Sequence, residues 1–157
     1  MREQYVPPSS ELTPREVAIQ MLSRREYSRA ELARKLQQKS FQPDEIDVCL
    51  NSLEEQNLQS DERFAESFIR SRILRGQGVI RIKGELRQRG VDQETSTMAF
   101  AAVEEREAVD WFELARDTLA RRFSSPGDTP KERAKRERFL ATRGFNFEQI
   151  RYALSCL

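Results

Sequence analysis

Histidine is missing from this chain of 157 residues, and with it go the commonest general base and the commonest transition-metal ligand. That weakens the case for catalysis without closing it. Cysteine is scarce. Cys49 and Cys156 sit in apolar helical patterns with no CxxC spacing and no second ligand pair, so a thiolate metal site is not indicated and two reduced, packed thiols are expected. The six glycines and six prolines fall at segment ends rather than in runs, which leaves no low-complexity linker. No apolar stretch approaches the roughly 18–20 residues needed to cross a bilayer, and Met1-Arg2-Glu3-Gln4-Tyr5 offers no apolar signal core. A soluble cytoplasmic protein is the expectation. No run of alternating β-branched residues suggests a strand.

What is present is helix punctuation. Thr13-Pro14-Arg15-Glu16 places a capping hydroxyl first, proline at the first helical position and glutamate at the third. Thr129-Pro130-Lys131-Glu132 repeats the pattern, Ser28–Glu31 and Asn146–Gln149 are further capping boxes, and Pro43-Asp44-Glu45 opens another helix. Arg89-Gly90-Val91 and Arg143-Gly144-Phe145 each read as a helix end, a left-handed glycine and an apolar residue folding back. Lys39-Ser40-Phe41 has the same shape with serine in the glycine's place. Residues 1–12, with Pro7-Pro8-Ser9-Ser10, read as a disordered arm.

The endings recur, and so do the apolar positions around them. Leu36, Leu86 and Leu140 each stand five residues before Phe41, Val91 and Phe145. Leu50, Phe100 and Leu154 correspond, as do Leu53, Val103 and Leu157, and Cys49, Ala99 and Ala153. Each set follows one more amphipathic stretch, marked by Val17-Ala18, Phe64-Ala65 and Leu114-Ala115. The pattern predicts an all-α chain of three tandem three-helix modules, at 13–58, 59–107 and 108–157. One such unit buries little core, so the modules are expected to lean on one another in an elongated, curved array. Of the adjacent aromatics Trp111 and Phe112, one must point away from its own core, and packing between modules is the expected use for it.

Charge is plentiful but nearly balanced, at 27 basic and 26 acidic residues, so arrangement matters more than sum. Residues 15–39 carry seven basic and three acidic side chains, 70–90 seven and one, and 131–143 six and two. Between them, 44–66 holds eight acids against Arg63, and 92–117 eight against two arginines. This alternation predicts a basic second helix and an acidic third helix in each module. Most of these charges are expected to form solvated networks between helices. The segment 70–90 is different: Lys83 and Arg87 stack one turn apart as like charges, which costs stability unless something answers them. A basic stripe suits phosphate backbones or an acidic protein groove, though no pattern for base-specific readout is present. Gly76-Gln77-Gly78 reads as a short flexible turn, not a phosphate loop, since no strand precedes it. Gly84 interrupts a helix at a cost of up to about 1 kcal/mol, and close packing of another helix is the expected reason.

Ser60-Asp61-Glu62-Arg63-Phe64-Ala65, Phe68-Ile69-Arg70-Ser71-Arg72 and Gly76-x-Gly78-x-x-Arg81-Ile82-x-x-Glu85-Leu86-x-x-Arg89-Gly90-Val91 together resemble the core signature of the RecX family. Arg138-Phe139-Leu140-Ala141-x-Arg143-Gly144-Phe145 resembles its third-module motif and Glu31-Leu32-x-x-Lys35-Leu36 its first. The likeness spans about residues 14–157. Two departures stand in one turn: the family usually has an aromatic at Gln77 and a proline at Val79, which suggests a less rigid turn here. The resemblance implies a non-enzymatic regulator, usually an inhibitor, of the RecA recombinase, lying in the groove of the RecA–DNA filament and affecting DNA repair and recombination. It implies no cofactor and no metal. Arg70, Arg72, Arg75, Arg81, Lys83 and Arg87 would be the main contact set, extended by Arg25, Arg34, Lys35, Arg138 and Arg143. An elongated monomer is the simpler reading, and binding across several protomers would gain avidity.

Three rivals remain at this point. The same basic stripe would serve a protein that binds single- or double-stranded DNA directly, without RecA; steep salt dependence would mark it. A metal-dependent nuclease could use Asp61, Glu62 and Glu66, but acids in a first helical turn are expected from the dipole alone. A plain helical scaffold is the third.

Overall fold

The computed structural model describes residues 12–157; the arm expected at 1–12 falls outside them except for Leu12. Nine helices form among the described residues: α1 Pro14–Leu22, α2 Arg29–Gln38, α3 Pro43–Glu55, α4 Asp61–Leu74, α5 Val79–Gln88, α6 Gln93–Glu107, α7 Trp111–Ala120, α8 Pro130–Thr142 and α9 Phe147–Ser155. No strand is found among those residues.

Most of the helices begin where side chains can satisfy their free N–H groups. Thr13 Oγ1 accepts from Glu16 N–H at 3.1 Å while Thr13 N–H donates to Glu16 Oε1 at 2.9 Å. Ser28 with Glu31 and Asn146 with Gln149 form the same reciprocal pairs. The box expected at Thr129 is only half made. Its hydroxyl accepts from Glu132 N–H at 3.1 Å, but Glu132 turns its carboxylate to Asp128 N–H at 2.7 Å, because the preceding loop folds that donor within reach.

The three second helices end alike. Phe41, Val91 and Phe145 donate their N–H groups to Leu36, Leu86 and Leu140 O at 3.2, 3.1 and 3.2 Å. The residues between are left-handed: Ser40 at φ 71°, Gly90 at 82° and Gly144 at 100°. Asn57 and Ala108 are also left-handed, at φ 61° and 49°, and end α3 and α6 with no glycine to announce them.

Three hydrophobic clusters follow the repeat. Val17, Ala18, Leu32, Leu36, Ile46, Cys49, Leu50 and Leu53 make the first, with Phe41 packed against it. The second gathers around Phe64, Ile69, Ile82, Leu86 and Val103, and the third around Ala115, Leu119, Leu140, Phe145 and Ile150. The extensive helix–helix packing runs within these units: α1 and α2 on α3, α4 on α6, α7 on α9. Cys49 is buried as a core residue, and burial raises its thiol pKa, only partly offset by Arg15. Cys156 departs from the expectation of a packed thiol. It ends α9 and is exposed, because the apolar face of that helix is used up by Ile150 and Ala153.

Two charge expectations need correction. Arg70 and Arg72 lie on α4 and Arg75 caps it, so the basic segment 70–90 is divided between two helices. And α9 carries one acid, Glu148, and one base, Arg151; the third helix is acidic only in the first two units.

Candidate interaction surface and inter-unit joints

The units meet end to end through their second helices. At the joint between the second and third units, Gly78 N–H donates to Arg143 O at 2.7 Å and Ile80 N–H to Gly144 O at 3.0 Å. The amino end of α5, which has no side-chain cap, is thus closed by the carbonyl end of α8. At the joint between the first and second units, Ser28 Oγ donates to Arg89 O at 2.7 Å, and Asp61 Oδ1 accepts from Arg29 N–H at 2.8 Å. There the amino end of α2 meets the carbonyl end of α5. Both meetings set a positive helix end against a negative one.

Close approach at these joints explains the glycines. A Cβ on Gly78 would stand 2.5 Å from Gly144 O, and one on Gly144 would stand 2.5 Å from Arg81 Cβ. Gly76, at φ 75°, backs onto Thr118, and a Cβ there would stand only 2.8 Å from Thr118 Oγ1. Gly76-Gln77-Gly78, expected as a flexible turn, is therefore a buried wedge. Trp111 also joins units: its ring lies 6.0 Å from that of Phe100, and its Nε1–H donates to Glu104 Oε2 at 2.8 Å. Phe112 is the neighbour that faces outward, edge-on to Tyr152. Tyr152 donates its hydroxyl to Glu113, and that bond pushes the phenol up to about 12.

The eleven basic residues singled out from the sequence separate into three environments. Some are spent internally. Arg72 keeps only 14% of its side chain exposed, pairs with Glu85 at 3.0 Å and stacks over Phe68 at 4.1 Å. That burial leaves little of its guanidinium for a partner. Arg70 reaches Glu107 at 3.6 Å, and Arg25 lies over Tyr27 and reaches Glu31 at 3.6 Å. A second group, Arg75, Arg81, Arg138 and Arg143, gathers at the joint between the second and third units. A third group is exposed with no ion-pair partner among the described residues: Lys83 and Arg87 on α5, and Arg34 and Lys35 on α2.

Lys83 and Arg87 line one wall of a cleft of about 340 Å³, opposite Gln93, Ser96 and Thr97. Its one carboxylate, Asp92, caps α6 by accepting from Thr95 N–H at 2.7 Å, and hydrogen bonds from the Thr95 backbone and hydroxyl hold it below the usual range. Its single negative charge is fewer than the two cations it faces. Gly84, between them, has nothing within 4 Å of where a Cβ would stand. The helix packing expected there is absent, and the helix surface lies open.

Glu85 is the hub behind this face. Partial burial pushes its carboxyl up, but hydrogen bonds and charge from Arg72 and Arg81 outweigh that and leave it below the ordinary carboxylate range. A carboxylate whose pKa falls on folding contributes stability that is complete above its unfolded pKa and is lost as pH drops through the folded one. Glu85→Gln is therefore expected to destabilise the protein near pH 7 and to lose the difference from the parent as pH falls through and below the ordinary carboxylate range. Urea midpoints across that range check it; a gap that persists at low pH would show a packing effect instead.

Two of the three carboxylates of the nuclease reading, Asp61 and Glu66, are engaged elsewhere. Asp61 accepts from Arg29 N–H and from Gln59 Nε2–H at 3.0 Å, and Glu66 pairs with Arg106 at 3.1 Å. No three His, Cys, Asp or Glu side chains converge on a metal-sized site among the described residues. Nor is any helix among them long and apolar enough to cross a membrane.

Nine helices in three like units, joined through their second helices and bearing a partly unpaired basic face, define an all-α tandem-repeat protein. The chain belongs to the RecX family: models of its first, second and third three-helix domains match residues 15–53, 60–99 and 108–154. It is 52% identical over 147 residues to the regulatory protein RecX of Chromohalobacter salexigens, covering 94% of both chains. It is 40% identical to that of Vibrio campbellii, over 92% of this chain and 91% of the relative. Among solved structures it resembles RecX from Lactobacillus salivarius, with a TM-score of 0.74 at 24% identity over 92% of this chain and 94% of the other. A second crystal structure of regulatory protein RecX gives 0.76 at 21% identity, over 92% and 72%. These two likenesses bear on the fold.

Proposed function

We propose that the protein binds the RecA–DNA filament and restrains it, lowering ATP hydrolysis, strand exchange and filament growth without catalysis of its own. The observation that carries this reading is the pair Lys83 and Arg87, exposed on one turn of α5 with no ion-pair partner among the described residues. Two like charges so placed gain by meeting an acidic surface. Arg34 and Lys35 extend the same kind of surface to the first unit. Arg72, Arg70 and Arg25 drop out of the main contact set because their charge is spent within the chain. A monomer that reaches several protomers gains affinity by avidity rather than by one strong contact.

The test is RecA ATPase on single-stranded DNA with this protein titrated at physiological salt. Inhibition well below one molecule per recombinase protomer is the expected result. No inhibition in excess, with tight binding to free DNA, would move the function to direct nucleic-acid binding.

Gly84 supplies a finer check on where the partner comes close. Alanine fits the open space there and is a better helix former by about 1 kcal/mol. Gly84→Ala is expected to raise stability while weakening inhibition, because its methyl stands where a partner's backbone approaches. A more stable variant with full inhibition would show that no close approach occurs at this turn.

A further inference from the structure

The two joints differ in charge. Across the first, Arg63 pairs with Glu26 at 2.9 Å and Arg89 with Glu31 at 3.5 Å. Across the second, no ion pair forms among the described residues. Arginines from both sides instead line one cleft of about 600 Å³: Arg75 and Arg81 from the second unit, Arg122, Arg138 and Arg143 from the third. No carboxylate lines this cleft. Among the described residues, Arg81 alone of the five has an ion-pair partner, Glu85 at 3.3 Å, and Glu85 is already shared with Arg72. Arg122 and Arg143 stand over the same Phe139 ring, at 5.5 and 4.7 Å. A guanidinium cannot shed its proton to relieve such crowding. The repulsion persists until an anion enters.

A second observation points the same way. Gln77 lines this cleft and is only 6% exposed, yet its Oε1 has no donor among the described residues. A buried amide left unpaired costs about 1–3 kcal/mol. The buried glutamine of the first joint also has an unpaired Oε1, but its Nε2 is committed to Tyr27 O and Asp61 Oδ1, at 3.2 and 3.0 Å. No such bond holds the Gln77 amide, which by turning about its last bond can offer N–H donors to a guest or accept from a guanidinium drawn in around it.

We propose that this cleft is a receptor for the phosphate chain of a small oligophosphate, free or carried by a nucleotide, clasped between the second and third units. Five guanidiniums exceed what one phosphate can balance, whereas a chain of three carries about four negative charges near neutral pH. Guanidiniums bind such oxygens in pairs of parallel hydrogen bonds. A nucleic-acid strand carries one charge on each phosphodiester and places few of them in so short a cleft. Since each unit supplies part of the site, the bound chain supplies the cross-joint ion pairing that the first joint has built in.

The experiment titrates the whole protein, without recombinase, with tripolyphosphate, ATP and adenosine by calorimetry at physiological salt. Thermal melts run alongside. One tripolyphosphate per chain, a raised melting midpoint and no response to adenosine are the expected results. Equal binding of ATP assigns recognition to the phosphates alone; tighter ATP binding assigns part of it to the nucleoside, and either supports the site. Arg122→Ala with Arg138→Ala changes two exposed side chains and should keep its helicity while binding at least tenfold more weakly. Lys83→Glu with Arg87→Glu, on the other cleft, should bind as the parent does. Absence of tripolyphosphate binding overturns the proposal. So does undiminished binding by the Arg122/Arg138 variant, or binding of a single-stranded oligonucleotide where tripolyphosphate fails. None of these outcomes bears on filament inhibition, which a separate assay reads.

Discussion

Gly144→Ala is expected to destabilise the protein by about 2–4 kcal/mol, in a chain whose single units have little stability to spare. Two costs combine. Gly144 holds φ at 100°, a region in which an L side chain costs about 1–2 kcal/mol. The new methyl would also stand 2.5 Å from Arg81 Cβ and 2.6 Å from Arg81 N, and neither atom is the loose end of a side chain. Overpacking of that kind costs about 1–3 kcal/mol. Relief requires α8 to back away from α5, and the bonds from Gly78 and Ile80 to residues 143 and 144 go with it. Urea denaturation checks the size of the effect and its form. In an array coupled through neighbours, loosening a joint separates the melting of the units it held, so a lower midpoint with a shallower slope is expected. A loss under 1 kcal/mol with an unchanged slope would mean the joint is softer than its geometry indicates. Gly78→Ala, aimed at Gly144 O from the other side, is expected to act alike.

Lys83→Glu with Arg87→Glu is expected to raise the amount of protein needed for half-inhibition of the filament roughly 30- to 100-fold, about 2–3 kcal/mol at 1.4 kcal/mol per tenfold. The reversal alters charge by four units on a surface with no ion pair to lose. The folded state should hardly notice, with a change within about 0.5 kcal/mol. Attraction to an acidic partner becomes repulsion, and a juxtaposed like pair costs more than the original attraction supplied. Inhibition by the parent should also weaken as salt rises, since exposed charges are screened over about 8 Å at physiological ionic strength. Full inhibition by the reversed pair would place the contact face elsewhere, with Arg34 and Lys35 the next residues to change.

Local chemistry made much of the architecture legible. A capping box involves four consecutive residues, and a left-handed helix end involves the five before it, so Ser28–Glu31 and Leu86–Val91 could be read without knowing what lay beside them. The box at Thr129 was misread because Asp128, brought round by the loop, competes for Glu132. Which arginines are free was not legible at all. Arg72 and Lys83 look alike along the chain, and only the fold reveals that Arg72 lies against Phe68 and Glu85 while Lys83 faces water. Gln77 and Arg122 were passed over for the same reason: one sits in an apparent turn, the other in a stretch without a motif, and they meet only when α8 docks on α5. Gly84 shows the reverse error. An intrahelical glycine suggests a crowded neighbour, and here there is open space.

The joints also give the protein a timetable. The amino end of α2 carries its own hydroxyl and carboxylate, Ser28 and Glu31, and takes one further acceptor, Asp61 Oδ1 for Arg29 N–H, from the start of the next unit. The amino end of α5 begins at a glycine with nothing of its own to offer, and its donors wait for carbonyls 143 and 144, more than sixty residues later. Growing from the ribosome, the chain therefore holds a second unit whose helix start is unsealed until residues 143 and 144 emerge, and the third unit closes its predecessor rather than merely being added to it.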